Sequence, residues 1–321
     1  MLKKFIIFFL PLIDLFIFVA IFFTFPILFI YTKLGSRRLP LSRDLFKLLG
    51  VYPLKDHYYQ PLFNEKKLNL SDKKRHLPGI DLNIDYQINF LKELNYSNEI
   101  ISIANNDYSK NDYDSFKFNN GSFLPGDADF LYSVIRKFRP RKIIEIGSGY
   151  STIIANKACK KNNLDFNFKT EHLCIEPYEQ PWLEKLDVEV KRDLVENISL
   201  NLFKELNEHD LLFIDSSHMI RRQGDVLYEY LEILPILNKG VIVHIHDIFT
   251  PRDYPLDWLR KDTRFWNEQY ILECLLSNQK RYKIVAALNY LKNDYFNELK
   301  KVCPMLKHNH QPGSIYLKVD A

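Results

Sequence analysis

The stretch Arg141-Lys-Ile-Ile-Glu-Ile-Gly-Ser-Gly-Tyr-Ser-Thr152 decides how this chain is read. A short apolar run carries an acid, Glu145, near its end. Two glycines, Gly147 and Gly149, follow at alternate positions, and a helix-forming segment opens near Ser151. Neither glycine has a Cβ, so the backbone there can turn sharply and pass close to a ligand. A helix starting at such a turn points unpaired N–H groups and the positive end of its dipole at whatever sits over it. A dinucleotide-binding loop would carry a third glycine three residues beyond Gly149, and Thr152 stands there instead.

Working outward, the pattern alternates regularly from Gly126 onward. Helices are expected over 127–138, 151–160 and 226–237, with strands at 142–146, 172–175, 188–190, 211–214 and 241–245 and two later ones at 282–287 and 314–319. Strands alternating with helices predict an α/β fold with a mostly parallel sheet covered on both faces. Polar residues stand at four strand ends: Glu145, Glu176, Asp215 and the pair His246-Asp247. In open α/β sheets ligands bind in the crevice outside those ends, so the four define one expected site.

Residues 126–320 resemble a class I S-adenosylmethionine-dependent methyltransferase domain, and within that class the bacterial O-methyltransferase-like group. The likeness is carried by Gly126-Asp127-Ala128-Asp129, Leu131-Tyr132 and Glu145–Thr152. It implies a Rossmann-like, seven-stranded, mostly parallel sheet and S-adenosylmethionine as cofactor. Carried over residue by residue, Glu145, Gly147, Ser148, Gly149, Tyr150 and Ser151 would line the methionine side and Glu176 the ribose. Asp193 would approach the adenine edge, and Asp215 would border both cofactor and acceptor.

Asp215-Ser-Ser-His218 matches the position where related O-methyltransferases hold substrate or metal with an acid. Where several of them end the fifth strand in an acidic pair, this chain has His246-Asp247. Asp215, His246 and Asp247 are therefore the expected divalent-metal ligands, a donor set better suited to a transition metal than to magnesium. Without metal, His218 or His246 is the expected general base. His244 reads as a core histidine, Arg221 and Arg222 as solvated residues or holders of an anionic acceptor. The aromatic segment 249–266 and Asp56-His57-Tyr58-Tyr59-Gln60-Pro61 are expected to cover the site.

The N-terminus has another character. From Phe5 to Thr32 the only charged residue is Asp14, and as one helix this run is about 40 Å long, enough to cross a bilayer at a tilt. Pro11 and Pro26 are candidate kinks. Lys33, Arg37, Arg38 and Arg43 outnumber Lys3 and Lys4, which favours a cytoplasmic catalytic side. The expected organisation is an anchor over 1–33, a basic amphipathic and irregular preface over 34–125, with 105–125 as loop, and the catalytic domain over 126–321. A net charge of +4, from 44 basic and 40 acidic residues, argues against nucleic acid. Four scattered cysteines give no zinc spacing and no disulfide framework.

Together these point to a single-pass, membrane-anchored methyltransferase acting on a hydroxyl oxygen of a small-molecule, lipid-linked or glycan acceptor. The rivals are a metal-dependent oxygenase or hydrolase on the same fold and a non-catalytic membrane-tethered binding protein.

Overall fold

A computed structural model describes residues 2–54, 57, 59–61, 73–107, 112–178 and 180–321, with only the backbone of residues 2–6. It divides into two compact units, Met1–Leu70 and Ser71–Ala321.

The first unit holds helix α1 (Leu2–Leu34) and helix α2 (Pro40–Leu48). Within α1, Ile7–Leu34 is long and apolar enough to cross a membrane, and Tyr31 near its end is its one buried residue. The helix runs unbroken through Pro11 and Pro26, so neither proline ends it. The amphipathic helix expected over 34–50 is split. Gly35 turns at φ +82°, residues 36–38 make one tight turn, and α2 begins at Pro40.

The second unit opens with α3 (Ile84–Lys92) and α4 (Ser97–Asp107), then α5 (Asp127–Phe138). Strand β1 (Lys142–Ile146), α6 (Tyr150–Phe166), β2 (Glu171–Ile175), β3 (Glu189–Lys191), α7 (Leu200–Lys204), β4 (Leu211–Ile214), α8 (Asp225–Tyr228) and β5 (Ile242–Ile245) follow. The chain then forms α9 (Leu256–Arg260), α10 (Glu268–Leu276), β6 (Tyr282–Ala287), α11 (Leu288–Asp294), α12 (Phe296–Val302) and β7 (Ile315–Val319). The seven strands lie in the order β3-β2-β1-β4-β5-β7-β6. β1 to β5 are parallel, and β7 slots in antiparallel between β5 and β6.

Both faces of the sheet are covered because the central strands are apolar at every second position on each side. Ile143, Leu211 and Phe213 meet α5, α6 and α12 on one face. Ile144, Ile146, Leu212, Ile214, Val243 and Ile245 meet α7, α8 and α10 on the other.

Three expectations change. The third strand is displaced by one residue to Glu189–Lys191. The single helix expected over 226–237 is a short α-turn, a wide π-turn at Glu229–Ile233 and a tight turn at Leu234–Ile236. The compact unit also begins upstream of Gly126, because α4, whose last turn falls in the expected 105–125 loop, is stapled to its neighbours. Arg136 of α5 is almost fully buried and bonds Glu99 of α4 at 2.9 Å and Asp165 of α6 at 2.5 Å. Tyr132 donates to Glu99 at 2.6 Å, and Lys157 pairs with Asp107 at 2.7 Å.

Arg136 is buried, but Glu99 and Asp165 are each 28% exposed, so water takes over part of their pairing when the guanidinium is removed. Arg136→Ala is expected to cost about 2 kcal/mol, lowering the melting temperature of the detergent-solubilised chain by roughly 4–8 °C. A shift within error of zero in differential scanning fluorimetry would show that α4 docks by apolar contact alone.

Candidate active site

The site is built by register. Ile175, Ile146, Ile214 and Ile245 stand level across β2, β1, β4 and β5. Backbone bonds continue one residue further: Gly147 N–H donates to Ile175, Asp215 N–H to Ile146 and His246 N–H to Ile214, at 3.0, 2.9 and 2.9 Å. Glu176, Gly147, Asp215 and His246 therefore form one row along the carboxyl edge. The strand order reverses between β1 and β4, which is where an open sheet leaves its crevice.

Gly147 takes φ +73°, and a Cβ built on it would lie 1.9 Å from the Asp215 carbonyl oxygen. Only glycine allows the β1 and β4 ends to meet so closely. Gly149 is different: a Cβ there would meet nothing within 4 Å, so its carbon faces open space. α6 starts at once, with Gly149 N–H donating to Thr152 Oγ1 at 3.1 Å.

Glu176 hangs over this loop. It accepts from Ser148 N–H at 3.2 Å and from Tyr178 N–H at 2.9 Å, which fixes its carboxylate at the crevice rim. Ser148 Oγ is buried without a hydrogen-bond partner among the described residues. A polar ligand arriving beside Glu176 would supply one, so loop and acid together fit a nucleoside-bearing cofactor.

Glu145 is placed differently from its expected contact with the cofactor. It is buried and its oxygens turn inward, to Ser151 Oγ at 2.5 Å and to His172 Nε2 at 2.9 Å, with Cys174 Sγ at 3.7 Å. Burial works against charge on His172, and Cys174 and Glu145 overcome it, holding the imidazole well above its ordinary value. The acid thus ties the first turn of α6 to β2 from beneath. Tyr150 lies half-buried at the crevice, its ring 6.2 Å from that of Trp182. Asp193 is exposed and accepts locally from Leu194 N–H and Asn197 Nδ2 at 2.8 and 2.7 Å.

At β4 and β5 four candidate residues converge. His218 Nε2 lies 3.3 Å from Asp215 Oδ1 and 3.6 Å from Asp247 Oδ2, while His246 Nδ1 lies 3.3 and 3.7 Å from the same two oxygens. Two carboxylates thus sit between two imidazoles. Each imidazole has a further carboxylate behind it: Glu268 at 2.8 Å from His218 Nδ1, and Asp127 at 3.9 Å from His246 Nε2.

Burial disfavours charge on both rings, but the surrounding carboxylates prevail and hold His218 and His246 well above the histidine value. Burial likewise pushes Asp215 up, and the two imidazoles outweigh it, holding that carboxyl well below the usual range. In Asp247 burial wins and raises it. The imidazole side chains are 6 and 7 % exposed against 29 % for Asp215, so an incoming group reaches Asp215 first.

His218 does not begin a helix, contrary to expectation. It takes φ +59° in an irregular turn, and α8 starts only at Asp225. Arg221 and Arg222 of that turn are exposed. His244 is a core residue, bonded to Ser314 Oγ at 2.8 Å and stacked on Tyr316.

Sequence reasoning missed Glu268, Asp127 as a partner of His246, and Glu229. Glu229 lies fully buried on the π-turn, accepting from Ser216 Oγ at 3.0 Å, and burial with the nearby Glu268 charge raises it well above its ordinary value. A π-turn inside a helix often marks a functional site, but no sequence period announces one.

The aromatic segment after β5 packs beside this cluster. Trp266 lies 4.2 Å from the His218 ring, and Trp258, Tyr254 and Phe249 continue the stack. It is pinned through Phe249 N–H to Gln269 and Thr250 Oγ1 to Glu273. Of the segment 56–61, Asp56 and Tyr58 lie outside the described residues, and His57 and Tyr59 belong to the first unit.

Among the described residues, Asp215, His246 and Asp247 bring one ligand atom each within 4.8 Å of one another, as do Glu145, His172 and Cys174. The first set opens on the crevice. With two oxygens and one nitrogen it fits a divalent transition metal.

A glycine turn at a helix start, a carboxylate level with it on the next strand, and a switch-point crevice define a Rossmann-like enzyme for a nucleoside-bearing cofactor. A family model for a methyltransferase domain matches residues 144–248, the segment that holds every element of this row. An uncharacterised protein of Archaeoglobus fulgidus is 31% identical over 169 residues, covering 48% of this chain and 73% of that one. The O-methyltransferase from Bacillus cereus in complex with SAH is a structural neighbour at 14% identity and TM-score 0.38, covering 72% of this chain and 91% of that one. Over residues 144–248 the chain therefore matches a methyltransferase domain, and its Rossmann-like sheet agrees with that match.

The Gly147 contact gives a sharp test. Gly147→Ala combines a backbone clash with a disfavoured φ, and is expected to destabilise the chain by about 3 kcal/mol. It should also remove measurable S-adenosylmethionine binding in calorimetry. Wild-type affinity in this variant would mean that the β1 and β4 ends separate without cost.

Proposed function

We propose that this chain transfers the S-adenosylmethionine methyl group to a hydroxyl oxygen of an acceptor that lies at, or is linked to, a membrane. When bound, the cofactor would supply an electrophilic methyl carbon and, as its S–CH3 bond breaks, leave as the neutral thioether S-adenosylhomocysteine. Gly147, Ser148, Gly149, Tyr150 and Ser151 form its bed, and Glu176 accepts from the ribose hydroxyls with a carboxylate already oriented by two backbone N–H groups. Glu145 acts from below, holding Ser151 and with it the helix start.

The observation that carries the oxygen acceptor is the His218–Glu268 pair beside Asp215. His218 Nε2 takes the hydroxyl proton as the oxygen attacks, acting from the neutral fraction of a ring that the surrounding carboxylates hold above its ordinary value, so turnover climbs with pH. Glu268 holds the ring by Nδ1 and balances the imidazolium. Asp215 orients the hydroxyl, and His246 with Asp247 closes the far side. A divalent cation at Asp215, His246 and Asp247 would lower the pKa of the acceptor hydroxyl. α1 is the anchor, and the excess of Lys33, Arg37, Arg38 and Arg43 over Lys3 and Lys4 favours a cytoplasmic catalytic unit. A lipid-linked or envelope-glycan acceptor follows from that location.

Methyl-tritiated S-adenosylmethionine offered with a membrane lipid and glycan extract tests this reading. His218→Asn should lower the turnover number at least about 100-fold while cofactor affinity holds. Glu176→Gln should weaken cofactor binding about 10-fold or more. Equal label transfer by His218→Asn and the parent chain would remove His218 as base. Label found only on nitrogen would remove the oxygen acceptor.

A further inference from the structure

The first unit carries a feature that methyl transfer does not use. A cavity of about 500 Å³ lies where α1 ends, lined by Tyr31, Lys33, Ser36, Arg43, Lys47 and Tyr52 among others. It lies wholly within that unit. Its wall is held together by the Tyr31 ring, buried edge-on against Phe46 of α2 at 4.8 Å.

α2 has two opposite faces. Arg43, Phe46 and Lys47 stand on the side that lines the cavity. Leu41, Leu45 and Leu48 recur at helical spacing on the other and are 88, 57 and 83% exposed. Among the described residues nothing covers that face. Between Lys33 and Leu48 the sequence holds five basic residues and one acid, Asp44, which pairs with Arg43 at 2.9 Å. Among the described residues neither Lys33 nor Lys47 makes an ion pair; Lys33 lies over the Phe29 ring at 5.4 Å.

We infer that this unit is a binding site for anionic phospholipid: the leucine face of α2 enters the membrane interface, and the cavity receives a headgroup phosphate. Three observations select a lipid surface over a protein partner. α2 follows directly on an apolar helix long enough to cross a membrane, so its leucines continue an apolar surface already there. The charge excess complements anionic headgroups. Tyr31, Tyr52 and Lys33 at the helix end are the residue types that settle at the headgroup level, with ring or stem in the apolar layer and polar tip outside it. The cavity cations then meet phosphate where the membrane presents it.

This inference rests on α1 as membrane anchor, so its test reports the two separately. The full chain is reconstituted into vesicles of phosphatidylcholine with and without phosphatidylglycerol. Flotation reports anchoring, and native mass spectrometry after extraction counts retained lipids. The chain should float with both vesicle types and keep phosphatidylglycerol over phosphatidylcholine by at least about five-fold. Lys33→Gln/Arg43→Gln/Lys47→Gln should still float, still bind S-adenosylmethionine in calorimetry, and lose the lipid preference. Leu41→Ser/Leu45→Ser/Leu48→Ser should retain less of either lipid. Excess inorganic phosphate should not displace the retained phosphatidylglycerol.

Equal retention of both lipids by the parent chain, or an unchanged preference in the cation variant, would overturn the headgroup site while leaving the anchor in place. Displacement by free phosphate would make it a site for soluble anions and overturn the lipid assignment. A chain that fails to float would overturn the anchor and this site together.

Discussion

The row of residues along the carboxyl edge of the sheet depends on one backbone contact, Gly147 against the carbonyl of Asp215. Parallel strands normally diverge beyond their last ladder bond as the chains leave for opposite faces. Here β1 and β4 stay together one residue longer, because the first residue of one turn has no side chain to keep the other away. The glycine turn leaves from Gly147 and the acid–imidazole cluster from Asp215. Their separation is thus fixed by main-chain geometry, which is stiffer than any arrangement of side chains. Glu176 and His246 extend the same row on either side by the same ladder rule.

The second constraint is electrostatic. Asp127, His246, Asp215, Asp247, His218 and Glu268 form an array in which acid and imidazole alternate, with Asp215 and Asp247 at its centre. Six ionisable groups in so dry a place are tolerable only because each has an opposite neighbour. The outer acids matter as much as the inner ones. Glu268 is wholly buried, also accepts from Tyr230 at 3.0 Å, and fixes the His218 ring. Such a shell sets which nitrogen faces the crevice, whether the inner four hold a cation or move a proton.

The row of strand ends was legible from residues alone, because strands buried on both faces are continuous apolar runs and their ends are marked by the first acid. The glycine turn was legible too, down to the missing third glycine. What stayed hidden depends on contacts across long stretches of chain. Glu268 lies 50 residues from His218 and sits in the first turn of a helix, where an acid is normally read as answering the helix dipole. Asp127 has the same disguise at the start of α5. Glu145 misled for the opposite reason. It is an acid one residue before the strand end, and the period of two turns it away from the crevice edge toward His172 and Ser151. α4 escaped notice because its attachment runs through Arg136, a charged residue on the buried side of another helix.

The two units answer each other's weaknesses in the reading proposed. A crevice whose accessible polar group is mainly Asp215 offers few handles for choosing an acceptor from solution. A helix anchor with a basic, leucine-faced extension changes the problem, because acceptor and enzyme then share one surface and meet at high effective concentration. Selectivity can come from being in the same membrane, and affinity for any single acceptor can stay low without loss of rate. That division predicts a detergent-extracted chain that binds its cofactor normally and turns over poorly. In bilayers, rate should rise with the surface density of acceptor, whatever its bulk concentration. A turnover number independent of acceptor surface density at fixed bulk concentration would place the selectivity back in the crevice, around His218 and Trp266.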